Sequence, residues 1–126
     1  MTGGAFEAVF DEEDALRRST GDEILLAEVI RFALEDIPSL IEETALFLEA
    51  GNPREASRLA HKIKGTAGAV GALRLYGSAF ALEMAGREGA GVDGALLEPV
   101  SRAFEAFAAH PRVRALAALD GGPSSR

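Results

Sequence analysis

Apolar residues recur every three to four positions along nearly the whole chain, in runs separated by short clusters of glycine, proline, asparagine and aspartate. Strands that bury one face need alternation, so this pattern admits helices and excludes an ordinary sheet. Thr20-Gly21-Asp22-Glu23 reads as a capping box opening a long helix that runs to about Glu49. Ile24, Leu25, Val29, Phe32, Ile37, Leu40, Ile41 and Leu48 are its expected inner residues, with a bend at Pro38. Gly51 stops it, and Asn52-Pro53-Arg54-Glu55 caps the next helix, which ends near Val70-Gly71. A further helix is expected from about Ala72 to Arg87, broken by Gly89-Ala90-Gly91. Another runs from about Asp93 to Ala109, with Pro99 early in it as a kink or a later start. A short helix from about Glu12 to Arg18 precedes them all, and Phe6, Val9 and Phe10 are placed to cover one end of the core. The expected fold is therefore all-α, an antiparallel up-down four-helix bundle with a short additional N-terminal helix. One domain spans residues 6–109, 1–5 and 120–126 are flexible termini, and Val113 to Leu119 adds a turn or two after Pro111.

Composition removes several classes of function. The chain has no cysteine, which excludes disulfides and thiolate metal sites. No apolar run approaches the roughly 20 residues of a membrane span, and Met1-Thr2-Gly3-Gly4 opens no secretory signal, so a cytoplasmic protein is expected. The capped helical segments lead to the expectation of a monomeric bundle. A net charge of −7 argues against nucleic acid as the partner. The charge is uneven. Residues 1–49 hold three arginines against thirteen acidic residues, a net −10. Residues 50–80 hold Arg54, Arg58, Lys62, Lys64 and Arg74 against Glu55 alone, a net +4. A solvated helix face is the ordinary meaning of such a run.

His61 lies in that basic segment. On a helical projection Ala56, Leu59, Ala60, Ile63, Ala67 and Val70 share one face, and His61 points about 150° away from its centre. Gly65 and Gly68, one and two turns on, each cost about 1 kcal/mol in a helix interior relative to alanine. Two of them beside an exposed histidine suggest that something large approaches the ring, and the basic surround favours an anionic ligand or an acidic surface. A metal site is not expected, because the other histidine, His110, is remote and no ligand-spaced cluster accompanies His61. Nor is a nucleotide site, since the glycines lie inside a helix and not between a strand and a helix. Glu83 is the second unusual residue, because it falls in the apolar arc of its helix. Either its tip reaches water at a groove between helices, or it accepts a hydrogen bond from His61 and fixes the tautomer. Lys64, at i+3 from His61, flanks the same region.

The segment Ala60-His61-Lys62-Ile63-Lys64-Gly65-Thr66-Ala67-Gly68, with Gly71 after it and Leu82-Glu83 further on, resembles the histidine-containing phosphotransfer (HPt) domains of multistep two-component phosphorelays. Phe10-Asp11-Glu12-Glu13, Gly21-Asp22-Glu23 and Ile37-Pro38 are similar as well. The resemblance implies a phosphocarrier without a nucleotide site of its own. His61 would accept a phosphoryl group from a receiver-domain aspartyl phosphate and pass it to another receiver. Lys64 would stabilise phosphoryl charge, Glu83 would orient the imidazole, and Arg58, Lys62, Gly65 and Gly68 would meet the partner. The implied partners are response-regulator receiver domains and a hybrid histidine kinase; no cofactor is implied, the receiver bringing the Mg²⁺. Two alternatives share these residues: the phosphoacceptor domain of a chemotaxis-type kinase, and a helical interaction module that has lost phosphotransfer.

Overall fold

Three helices in succession end in the same way. The computed structural model describes residues 7–89 and 94–119, and its first helix, α1, is Glu12–Arg18. Gly21 N–H reaches back to Leu16 O at 2.8 Å and Thr20 N–H to Arg17 O at 3.0 Å, the paired bonds of a Schellman stop. The next helix, α2, is Glu23–Glu49; Asn52 N–H bonds Phe47 O at 2.8 Å across Gly51, whose φ is +71°. Then α3, Pro53–Ala69, closes through Ala72 N–H to Ala67 O at 2.9 Å, across Gly71. Each stop turns the chain within a few residues, so α4, Leu73–Glu88, returns along α3, its most extensive neighbour. A 3-10 turn at Gly94–Leu96 leads into α5, Leu97–Ala109, and α6, Pro111–Ala117, follows directly. The described residues are all-helical, with no strand, and none of these helices is long and apolar enough to cross a membrane.

One expected start signal has a different meaning. Thr20 is not the cap of α2. It occupies the left-handed position of the α1 stop at φ +56°, and Asp22 caps α2 by accepting from Ile24 N–H at 2.9 Å and Leu25 N–H at 3.1 Å. The end of α1 claims Thr20 and Gly21 before α2 can use them. By contrast, Asn52 caps α3 as its sequence implies, accepting from Glu55 N–H with Pro53 at the first position. Asp93, Ala90 and Gly91 lie outside the described residues, as do Phe6 and both expected flexible termini. Pro99 sits in the first turn of α5, where its missing N–H leaves no bond unmade. α2 runs through Pro38 as one helix, with the proline on the exposed side.

Along α2 the core positions step alternately by four and three residues, with Ala27 buried beside them. On α2 the buried seam is Leu26, Ile30, Ala33, Ile37, Leu40 and Thr44. Ile24, Leu25 and Phe32, expected inside, are instead 37, 40 and 56% exposed. The seam passes through small residues, Ala33 and Thr44, and choosing the largest apolar side chains shifts the face sideways. Thr44 fits because its hydroxyl donates to Leu40 O at 2.6 Å. Facing α2 are Leu59, Ala60, Ile63, Ala67 and Val70 of α3, Leu75, Ala79 and Leu82 of α4, and Val100, Ala103 and Phe107 of α5.

The packed body continues beyond the expected limit at Ala109. Val113 and Leu116 of α6 are buried in the same core. Arg31 of α2 donates to Ala117 O at 3.0 Å and Leu119 O at 2.8 Å. His110 caps α6, its Nδ1 accepting from Arg112 N–H at 3.1 Å, and its ring meets Phe10 edge-on at 5.5 Å. The N-terminal segment is tied down too: Asp11 N–H bonds Gly71 O at 2.8 Å and Arg74 donates to Glu7 O.

Candidate functional site: the groove between α3 and α4

Helical periodicity places Arg54, Ser57, His61, Lys64 and Gly68 along the flank of α3 that adjoins α4. Tyr76, Phe80, Glu83 and Arg87, spaced four, three and four apart, line the matching flank of α4. The two helices come close at Gly86, where a Cβ would stand 2.6 Å from Pro53 O and 2.8 Å from Ser57 Cβ. Ser57 is buried, and its hydroxyl donates to Glu83 O at 2.8 Å, fastening α4 to α3 one turn from His61.

Above that fastening the structure brings together His61, Lys64 and Glu83. The His61 side chain is 66% exposed, and its Nδ1 lies 2.9 Å from Glu83 Oε2. Glu83 is buried, with only 9% of its side chain accessible. Its Oε1 has the Lys64 ammonium at 2.8 Å, an ion pair whose alignment falls short of a hydrogen bond. Lys64 is itself mostly covered, with Nζ 5.0 Å from the Phe80 ring centre and 6.0 Å from that of Tyr76.

Burial acts most strongly on the Glu83 carboxyl and pushes its pKa up. The close approach of the Lys64 ammonium, the hydrogen bond from His61 and the charge of both outweigh that and hold it below the ordinary value of 4.5. At neutral pH Glu83 is therefore a carboxylate, which can only accept hydrogen bonds. The proton between Nδ1 and Oε2 belongs to Nδ1. In the neutral ring the lone pair is then on Nε2, which has no hydrogen-bond partner among the described residues. Of the two readings open for Glu83 from sequence, the structure has the hydrogen bond to the ring.

The remaining candidate residues differ in their surroundings. A Cβ on Gly65 would meet nothing within 4 Å, and one on Gly68 would meet the Tyr76 ring at 3.4 Å, an ordinary contact. Arg58 is exposed and paired with Glu55 at 2.8 Å. Lys62 is exposed, and periodicity puts both on the flank of α3 turned away from α4. Ser57, Gly86, Tyr76 and Phe80 were not singled out as site residues from sequence. Gly86, three residues after Glu83 on the same helix, is the signal that could have pointed to the close approach. Among the described residues no group of three or more His, Cys, Asp or Glu side chains could hold a metal ion.

An all-helical body that presents one exposed, tautomer-fixed imidazole beside a held ammonium is the architecture of a histidine-based carrier domain. A family model, the Hpt domain, matches residues 26–118, and the chain belongs to that family. The match extends through α6, in keeping with the packing of Val113 and Leu116. Searches of curated proteins and of solved structures returned no match. Hpt domains serve histidine phosphotransfer in two-component signalling, working with receiver domains and histidine kinases as phosphocarriers and not, in general, as enzymes.

Proposed function

We propose that His61 accepts a phosphoryl group from a receiver-domain aspartyl phosphate and passes it to a second receiver aspartate. The observation that carries this reading is the Nδ1–Glu83 hydrogen bond of an exposed ring, which leaves Nε2 as the nucleophile. In the forward step Nε2 forms a bond to phosphorus while the bond from phosphorus to the aspartyl oxygen breaks, and the carboxylate leaves with the electron pair. The ring becomes cationic as the bond forms, and the Glu83 carboxylate stabilises that charge. Lys64, now on Glu83, is near enough to share its ammonium with the phosphoryl oxygens. The protein needs no cofactor for this; Mg²⁺ comes with the receiver. Arg58, Lys62, Gly65 and Gly68 are assigned to docking, and the open space at Gly65 supports that assignment. The tight stops between α2, α3 and α4 support an antiparallel up-down arrangement of the four longer helices. The protein is proposed to act as a monomer in the cytoplasm, downstream of a hybrid histidine kinase.

The test is incubation with a panel of phosphorylated receiver domains from the same organism. Acid-labile phosphate should appear on the wild type, should be absent from His61→Gln, and should not form with ATP alone. Label that persists in His61→Gln would refute the assignment. Label from ATP alone would refute the absence of a nucleotide site.

A further inference from the structure

Most arginines among the described residues are engaged. Among the ten in the described residues, Arg17, Arg18, Arg58, Arg102 and Arg112 have carboxylate partners, and Arg31 and Arg74 donate to backbone carbonyls. Arg54, Arg87 and Arg114 have no carboxylate within ion-pair distance among the described residues. Two of those three, Arg54 from α3 and Arg87 from α4, line one open cleft together with Ser57. Among the described residues its cations are otherwise unanswered: Arg87 makes only a weak contact, Nη1 to Met84 Sδ at 3.9 Å, and the Ser57 hydroxyl is already engaged with Glu83 O.

The place of this cleft matters. Ser57 precedes His61 by four residues and Arg87 follows Glu83 by four, so the cleft is the next rung of the same groove, about 6 Å along the helix axes. A stable protein interface covers about 800 Å² on each partner, a disc of roughly 16 Å radius. A protein of that footprint centred over His61 therefore covers Arg54 and Arg87 as well. Two guanidinium groups removed from water without an anion are strongly unfavourable, and they answer only to a partner that supplies one.

We infer that Arg54 and Arg87 form an anion-binding cleft that receives a surface carboxylate of the docked receiver domain, and so selects among receivers. This rests on the phosphotransfer reading above. It adds a determinant outside the family motif, on the groove side of α3, where the Arg58 and Lys62 flank does not reach. A planar guanidinium pair suits a carboxylate geometrically, and the pairing is shielded once the interface closes. The cleft holds the partner and takes no part in the bond changes at Nε2, so its loss weakens docking and leaves the chemical step intact.

The test uses the full chain and the receiver that accepts phosphate fastest. His61 is first phosphorylated with potassium phosphoramidate, a small donor that needs no docking. Transfer to the receiver is then followed for the wild type, for Arg54→Glu/Arg87→Glu, and for Arg102→Glu/Arg114→Glu as a control of equal charge. The expected result is equal loading of all three and an at least tenfold higher KM for the receiver with Arg54→Glu/Arg87→Glu alone. The rate at saturation should stay within about twofold, and the salt dependence of KM should flatten in that variant. Changing one receiver carboxylate to arginine should restore its KM. An unchanged KM, or an equal rise in the control, overturns the cleft and leaves the phosphotransfer reading standing. A lower saturating rate at unchanged KM also overturns it, because the arginines would then act on the chemical step. A phosphorylated wild type that transfers to no receiver overturns both. Circular dichroism melts of each variant exclude unfolding as the cause.

Discussion

Adding a methyl group at Gly65 and at Gly86 should move stability in opposite directions, although both glycines sit inside helices. The intrinsic gain is the same at each: glycine to alanine in a helix interior is worth about 1 kcal/mol. At Gly65 nothing opposes it, because the new Cβ would meet no atom within 4 Å. For a domain of this size that gain corresponds to a rise of roughly 3–5 °C in Tm. At Gly86 the Cβ would stand 2.6 Å from Pro53 O and 2.8 Å from Ser57 Cβ, both held by backbone. Overpacking costs about 1–3 kcal/mol, and with two contacts under 3 Å the cost at Gly86 exceeds the helix gain. It also drives α4 away from α3 and lengthens the 2.9 Å bond from His61 to Glu83. Gly65→Gln completes the series. It should still melt above the wild type, by about half the alanine increment, yet transfer phosphate more slowly, because its side chain stands one turn from His61. Calorimetry and transfer rates measured on the same preparations decide the matter. A Gly65→Ala protein that melts below the wild type would show that the space at Gly65 is needed for packing. Normal transfer by Gly65→Gln would show that no partner approaches there.

Lys64→Ala and Glu83→Ala should each slow transfer by roughly 10–1000-fold without unfolding the bundle, as losses of electrostatic and general acid–base groups do; single-turnover transfer with parallel melts checks both halves of the claim. Glu83 also makes stability depend on pH with a definite sign. Its folded pKa lies below the ordinary 4.5, so its contribution is complete above that value and is lost as the pH falls through the depressed folded one. Melting curves between about pH 6 and pH 3 should therefore show a smaller acid decline in Glu83→Gln than in the wild type, and equal declines would refute it. Arg31→Ala should loosen α6, since it removes the donor to Ala117 O and Leu119 O. Faster proteolysis within residues 110–119, with His61 phosphorylation retained, is the expected outcome.

Local chemistry made much of this molecule legible in advance, and long-range geometry made the rest opaque. Asn52 and Pro53 announce the start of α3 because capping is settled within four residues. His61 stands out because its angular position on α3 depends only on its neighbours. Glu83 is visible as a carboxylate out of place, although its partner is on another helix. Thr20 misleads because two helices compete for one turn, and only the folded chain shows that α1 takes it. Phe32 misleads because which face of α2 is buried depends on what α3 presents to it. Ser57 escapes notice for the same reason: it is unremarkable on its own helix and matters only where the two backbones come within contact, and Gly86 beside Glu83 is the one local hint of that approach.

The hydrogen bond from Nδ1 to Glu83 has a further consequence for the energetics of a reversible relay. A free phosphoimidazole exchanges a proton with water as its ring charge changes, so each handover would couple to the acidity of the medium. Here that proton is held between the ring and a carboxylate of which only 9% is accessible to solvent. In the relay proposed above, attack by Nε2 on phosphorus and its reversal neither make nor break a bond at Nδ1, so this hydrogen bond spans both steps. The ring therefore completes a round trip with no protonic debt to the surroundings. In such a carrier the balance between donor and acceptor reflects the two acyl phosphates at its flanks, and the histidine between them favours neither direction.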